Sequence, residues 1–273
     1  MELETLEQRF HRAVERHRDW AGDHQDSVAA YLRFARGRLE EGRAVAGLLR
    51  ARLGEGRLRV LDLGAGNGGV SLGLAAAGSG FEVTALDLVL NPVLRELRGA
   101  AAPSRVRQTL GRGEELPCRD GAFDAVLCLD SFEHFRQPET IGREILRVLR
   151  PGGACVLSTP ARVKYLLRPD PHHGVRGLLL LPDPLQRLLV NRWLGRRPPY
   201  DVHHTYWHLG ALLANFPGRR WLRDRFWYKY RFFLWDRLLI FKRLPGEGAD
   251  AWLELPSPLA EIAGWDGGPP ALP

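Results

Sequence analysis

An α/β fold built on a doubly wound, mostly parallel sheet is predicted by three features of this sequence. Short β-rich runs alternate with helical segments from Arg57 to Pro160, the rhythm that right-handed βαβ crossovers produce. The first run ends in a glycine-rich turn, VLDLGAGNGG, of the kind that takes a chain from a buried strand into a helix. The second run ends in Asp87, 21 residues beyond Gly66, where such a sheet presents its ligand-facing edge.

The chain opens with helices. Leu3, Leu6, Phe10, Val14 and His17 fall on one helical face, and Val28, Tyr31, Leu32, Ala35 and Leu39 repeat that spacing after Asp26 or Ser27 as N-cap. Strands are then expected at RLRVLDL, FEVTALD, RVRQTL, FDAVLCL and GACVLST, separated by the helices GGVSLGLAAAG, NPVLRELRGA and PETIGREILRVLR. After Pro160 the rhythm breaks. Helices are expected at Pro184 to Leu194 and near Trp207 to Phe216, and strand-like material returns at Arg225 to Trp235 and Leu238 to Lys242. The first of these helices has Asp183 as N-cap and an apolar face of Leu185, Leu188, Leu189 and Trp193 opposite Arg187 and Arg192. The tail from Pro245 is rich in Pro and Gly and reads as mobile, with Trp252 and Trp265 available to pin it. The expected division is a helical cap (1–56), a ligand-binding core (57–160), a helical insertion (161–216), C-terminal strands completing the sheet (217–244) and a tail (245–273).

Composition narrows the function class. With 45% hydrophobic and 26% charged residues among 273, the chain is that of a globular protein, not a disordered or fibrous one. Its start, MELETLEQRF, is acidic and amphipathic and unlike a signal peptide, so a cytoplasmic location is expected. No apolar run approaches the ~18 residues of a membrane-crossing helix. Cys118, Cys128 and Cys155 lack the paired spacing of zinc ligands and read as buried thiols. The net charge of +7 is uneven: residues 161–243 hold 17 Lys plus Arg, five Asp and no Glu, together with 15 of the 25 aromatic residues. A basic, ring-rich segment suits phosphate-bearing or membrane partners.

The glycines at 64, 66 and 69 fit the dinucleotide fingerprint, yet the neighbouring residues argue for another ligand. Asp62 stands two residues before Gly64, where it would repel a diphosphate. Amides at a helix N-terminus favour an anion and a carboxylate favours a cation, so together they suit a zwitterion such as an amino acid. Asp87 is placed to accept both hydroxyls of an adenosine ribose. The combination favours S-adenosylmethionine over NAD.

VLDLGAGNG, VTALD, GRGEELPCRDGAFDAVLCLDSFEHF and ILRVLRPGGACVLSTP resemble, in order, the motifs of class I S-adenosylmethionine-dependent methyltransferases, and in particular the group similar to ubiquinone-pathway O-methyltransferases. That resemblance covers about Arg57 to Pro160 and implies a Rossmann-like, seven-stranded sheet with a helical acceptor lid. It also implies that Gly64, Ala65, Gly66 and Asn67 line the methionine end, that Asp87 and Leu88 take the ribose and adenine, and that Leu129 and Asp130 close the floor. Where the family often has Gly-Asp-Ala-Glu, this chain has Gly111, Arg112, Gly113 and Glu114. Arg112 cannot accept a hydrogen bond, so Gly113 or Glu114 is left to read the base.

Methyl transfer is a displacement at carbon in which positioning and desolvation carry much of the catalysis. A hydroxyl acceptor must also lose a proton. Asp130, Glu133 and His134 in LDSFEHF are the candidate catalytic residues, and the D-x-x-E-H pattern resembles an arrangement in which such side chains also suit a divalent cation. No metal ligand set is assigned here. His203, His204, Tyr206 and Trp207 are candidates for the acceptor side, because they precede a helix similar to the family's acceptor cover. A small-molecule or lipid-linked acceptor, methylated at oxygen, is the leading expectation, with peripheral contact to an anionic membrane. Nucleic-acid methylation, supported by the basic aromatic stretch, and a non-catalytic scaffold, motivated by Arg112, stand as alternatives.

Overall fold

A computed structural model of the chain describes residues 5–18, 28–97, 106–159, 162, 175–192, 204, 206, 209–216, 238–242 and 251–254. Helix α1, Leu6–Arg16, starts at a capping box in which Thr5 and Gln8 satisfy each other's backbone amides. It buries Phe10, Ala13 and Val14. The long α2 spans Val28–Leu53, and its expected N-cap lies outside the described residues. Ala35 and Leu39, on the face read from the sequence, are buried.

The core then alternates as its periodicities require. Strand β1 is Leu58–Leu63, α3 Gly69–Ala76, β2 Phe81–Asp87, α4 Pro92–Leu97, β3 Val106–Leu110, β4 Phe123–Leu129, α5 Pro138–Val148 and β5 Leu149–Ser158. These five strands are parallel, in the order β3-β2-β1-β4-β5. The order reverses between β1 and β4, and in an open sheet the crevice for a ligand lies beyond the strand ends at such a reversal. The sheet continues antiparallel through β6, Leu238–Lys242, and β7, Ala251–Glu254. Strand β7 lies in the stretch read from the sequence as a tail, and it pairs Trp252 with Phe241 in register. The expected strand at 225–235 lies outside the described residues.

Alternation along each strand divides the apolar residues between two cores. Val60, Ala125, Leu127 and Val156 pack beneath α1 to α4, whereas Leu61, Leu63, Val126, Cys128 and Leu157 meet α5 and the helix α7, Leu209–Leu213. All three cysteines are free; Cys128 and Cys155 are buried, as expected, and Cys118 is half-buried. Among the described residues no helix is long and apolar enough to cross a membrane.

Helices α2 and α3 meet backbone to backbone. A Cβ at Gly42 would strike the carbonyl of Val70, and one at Gly73 the carbonyl of Leu39. Only glycine permits that approach, and it brings the α2 turn bearing Arg38 and Glu41 down beside the end of β1.

Helix α6, Asp183–Arg192, corrects two expectations. Its first carbonyl is that of Pro182, which accepts from Leu185 at 2.9 Å and Gln186 at 3.1 Å, so Asp183 lies inside the first turn instead of capping it. Its buried face is Gln186 and Val190, while Leu185 and Leu188 are 47% and 53% exposed. Gln186 donates to the carbonyl of Leu181 at 2.7 Å, an anchor that apolar periodicity does not register. Trp193 lies outside the described residues.

Gly73→Ala is expected to force α2 from α3 and to lower stability by about 1–3 kcal/mol. A fall in the urea midpoint at constant m-value checks it, and an unchanged midpoint would remove the helix contact as a constraint.

Candidate functional site

The turn between β1 and α3 is shaped by glycines at positive φ. Gly64 (φ +76°) has no room for a side chain, because a Cβ would lie 2.5 Å from Cβ of Ser131. Gly68 (φ +77°) caps α3 from the left-handed region. Gly69, the third glycine of the fingerprint, is helical, and a Cβ there would press on Cβ of Arg38 at 2.8 Å. The amides of Gly64 and Ala65 donate to the carbonyl of Leu86, at 2.8 and 3.2 Å. The Gly66 amide donates to Oδ2 of Asp87 at 2.8 Å, which sets the carboxylate at the lip of the turn. Asn67 turns inward, its Oδ1 accepting from the Gly69 amide at 3.0 Å.

Asp62 lies beneath this turn. It is buried and accepts from Oγ of Ser71 at 2.6 Å. Burial pushes its pKa up to about 6, while the Ser71 bond and the charge of Arg38 oppose the rise.

Arg38, which the sequence did not single out, organises the floor. Its Nη1 donates to Glu41 at 2.6 Å and to Oδ2 of Asp130 at 2.8 Å, and its Nη2 donates to the carbonyl of Leu129 at 2.8 Å. The clue was positional: Ala35, Arg38, Leu39 and Gly42 share one helical face, and an arginine within an inward face needs acidic partners. Asp130 has φ 51°, a left-handed conformation costing about 1–3 kcal/mol for a residue with a Cβ. Ser158 and Arg38 hold it there. The Asp130 amide donates to the carbonyl and Oγ of Ser158, and Oδ1 accepts from that same Oγ at 2.9 Å. The Asp130 side chain remains 43% exposed.

Residues Phe132–His134 form a single 3-10 turn. Phe132 stacks on Phe216 with ring centres 5.8 Å apart, and this anchors the turn in the second core. Glu133 is 0% exposed and accepts from Oγ1 of Thr159 at 3.1 Å. Burial, reinforced by the charge of Asp130, pushes its pKa up to about 8. The charged carboxylate is thus disfavoured at this position. His134 is half-buried, its Nε2 4.0 Å from Oε1 of Glu133.

The acceptor-side candidates separate. The backbone amide of His204 donates to the carbonyl of Glu133 at 3.1 Å, and its Nε2 lies 3.3 Å from the carbonyl of Arg136. Tyr206 is buried against Phe132, its hydroxyl accepting from Nδ2 of Asn215 at 3.2 Å. That burial raises the phenol's pKa. His203 and Trp207 lie outside the described residues. At the far end of the crevice Leu88 is 65% exposed. Arg112 extends into solvent, 74% exposed and 3.9 Å from the mostly shielded Glu114. Gly113 is buried, and a Cβ there would press on the ring of Phe135 at 2.7 Å.

The structure thus gathers Asp62, Gly64, Ala65, Gly66, Asn67, Asp87, Leu129 and Asp130 around the reversal of strand order. Residues 61–157 match the family model whose description is Methyltransferase domain. A ubiquinone biosynthesis O-methyltransferase of Xanthomonas oryzae pv. oryzae is 39% identical over 111 residues, 40% of this chain and 46% of that protein. A glycine/sarcosine/dimethylglycine N-methyltransferase of Actinopolyspora halophila is 40% identical over 105 residues, 37% of this chain and 18% of that protein. An uncharacterized methyltransferase of Mycolicibacterium vanbaalenii is 35% identical over 175 residues, 59% of this chain and 65% of that protein. The chain therefore spans less than half the length of the first of these relatives.

Glu133 and Asp62 bind their protons more tightly folded than unfolded, so their effect on stability is most favourable at low pH. It is lost as pH rises from the unfolded values of 4.5 and 3.8 through about 8 and about 6. Glu133→Gln keeps an acceptor for Thr159 and is expected to flatten most of that fall, on the order of a few kcal/mol. Urea midpoints at mildly acid and mildly alkaline pH check it; an equal fall in wild type and variant would remove Glu133 as its source.

Proposed function

We propose that this chain, whose residues 61–157 match the Methyltransferase domain model, is a class I S-adenosylmethionine-dependent methyltransferase that methylates a small or lipid-linked acceptor, at oxygen. The observation that carries the reading is the Gly66 to Asp87 bond at the lip of the turn, with Asp62 buried below it. Asp87 at the end of β2 serves the ribose of either kind of cofactor, whereas Asp62, a buried acid beneath the glycine turn, disfavours a diphosphate. It suits a ligand that carries positive charge.

When bound, S-adenosylmethionine supplies a methyl group already attached to a good leaving group. Asp87 holds the ribose hydroxyls, Leu88 covers the adenine, and the carbonyl of Gly113 or the Glu114 carboxylate reads the base. Asp62 and Arg38 offer opposite charges to the amino-acid end. Leu129 and Asp130, locked by Arg38 and Ser158, form the floor on which the acceptor is aligned. Asp130, Glu133 and His134 are the candidates to take a proton from a hydroxyl acceptor, with Glu133 the most buried of the three and His134 half-buried beside it. Supporting oxygen as the acceptor atom is the O-methyltransferase relative.

Helix α6 supports the lipid-linked version of the acceptor and a lid role for residues 161–216. Leu185 and Leu188 face outward beside the exposed Arg187 and Arg192, a pairing suited to an anionic bilayer surface.

Calorimetry with S-adenosylmethionine tests the first part. Asp87→Ala is expected to weaken binding at least about tenfold, since each charge-assisted hydrogen bond contributes roughly 1.5–3 kcal/mol. Unchanged affinity in that variant, or tighter binding of NAD than of the methyl donor, would overturn the assignment.

For the lid, wild-type protein is expected to sediment with anionic vesicles at low salt and to remain in solution with neutral ones. A Leu185→Ser, Leu188→Ser variant should lose most of that binding. Equal sedimentation of wild type and variant would leave α6 without a membrane role and favour a soluble acceptor.

A further inference from the structure

We infer that Arg38 occupies the place of a divalent cation at the mouth of β4, so that this site works with a built-in guanidinium in place of a metal ion. The inference rests on the methyl-transfer reading above only for what the site does; the charge arrangement stands on its own geometry. In the group that the LDSFEHF stretch resembles, the acidic-x-x-Glu-His side chains suit a divalent cation. Here those donors are committed elsewhere. One oxygen of Asp130 accepts from Ser158 at 2.9 Å and the other from Arg38 at 2.8 Å. Glu133 is fully buried and turned to Thr159 at 3.1 Å, and among the described residues no three His, Cys, Asp or Glu are grouped as a metal set.

The surroundings of Arg38 resemble the donor set of a hard cation. Its Nη1 bridges two carboxylates, Glu41 at 2.6 Å and Asp130 at 2.8 Å, while its Nη2 takes the main-chain carbonyl of Leu129 at 2.8 Å. Two carboxylates and a carbonyl are the oxygen ligands that calcium or magnesium ordinarily takes. Asp62 adds negative potential from below. A guanidinium in that position stays charged at any working pH, and its rigid fork serves several oxygens at once. The side chain is held from behind as well, since α3 packs against its stem at Gly69. Charge neutralisation at the floor is thereby covalent to the chain, and Asp130 keeps its left-handed conformation without a bound ion.

Removing the guanidinium should create the cation site it replaces. Mn2+ is the probe, read by electron paramagnetic resonance on the purified full chain, so no acceptor or methyl donor is needed. Wild type is expected to show no stoichiometric Mn2+ binding, whereas Arg38→Met and Arg38→Gln bind at least about tenfold more tightly once the cation between the carboxylates is gone. Arg38→Lys, which retains the charge, should bind no better than wild type, and Arg38→Met combined with Asp130→Asn should lose the gain. Either of two outcomes overturns the proposal: one Mn2+ bound by wild type and lost in Asp130→Asn, or no gain in Arg38→Met and Arg38→Gln when both retain wild-type circular dichroism. Calorimetry of the methyl donor, run separately, tells failure of this inference from failure of the methyl-transfer reading.

Discussion

The ion pair between Arg38 and Asp130 joins parts of the fold that the chain keeps 92 residues apart. It forms because α2 descends onto α3 through Gly42 and Gly73, a separation no residue with a side chain would allow. Once there, the guanidinium binds the last carbonyl of β4 and the carboxylate beyond it. Asp130 bears an unfavourable backbone conformation, and such strain persists only where the surroundings over-determine it. Helix α2 thereby contributes a side chain to the floor at the end of β4.

Electrostatics distinguishes this crevice from one built for a dinucleotide. The glycine turn alone is neutral on the question, since a close approach of strand and helix demands small residues for any ligand. Asp62, Glu41 and Asp130 surround a single described guanidinium within the floor, so the local balance is negative. Burial beside Asp130 disfavours a second full charge on Glu133. A sulfonium or an ammonium is stabilised in that setting and a diphosphate is not.

The second core supports the opposite wall. Phe132 stacks on Phe216 and touches Tyr206, which in turn holds Asn215. The 3-10 turn carrying Glu133 and His134 is thus anchored by aromatic packing, and the backbone of His204 closes on the Glu133 carbonyl. Tyr206 drew attention in the sequence because it precedes a helix similar to the family's acceptor cover.

By itself the sequence determined the strands and helices of residues 57–160, the glycine turn and the placement of Asp62 and Asp87 at strand ends. These follow from periodicity and short-range spacing, and a period of 2 or 3.6 is a property of neighbouring residues. Only the tertiary structure decided the placement of Arg38, the burial of Glu133, the outward turn of Leu185 and Leu188, and the pairing of β7 within the stretch read as a tail. Each of these depends on what a side chain meets from a distant part of the chain. A helical face says which residues lie together, but the partner across the interface sets whether a charge is paired, a carboxyl loses its water or a leucine reaches solvent.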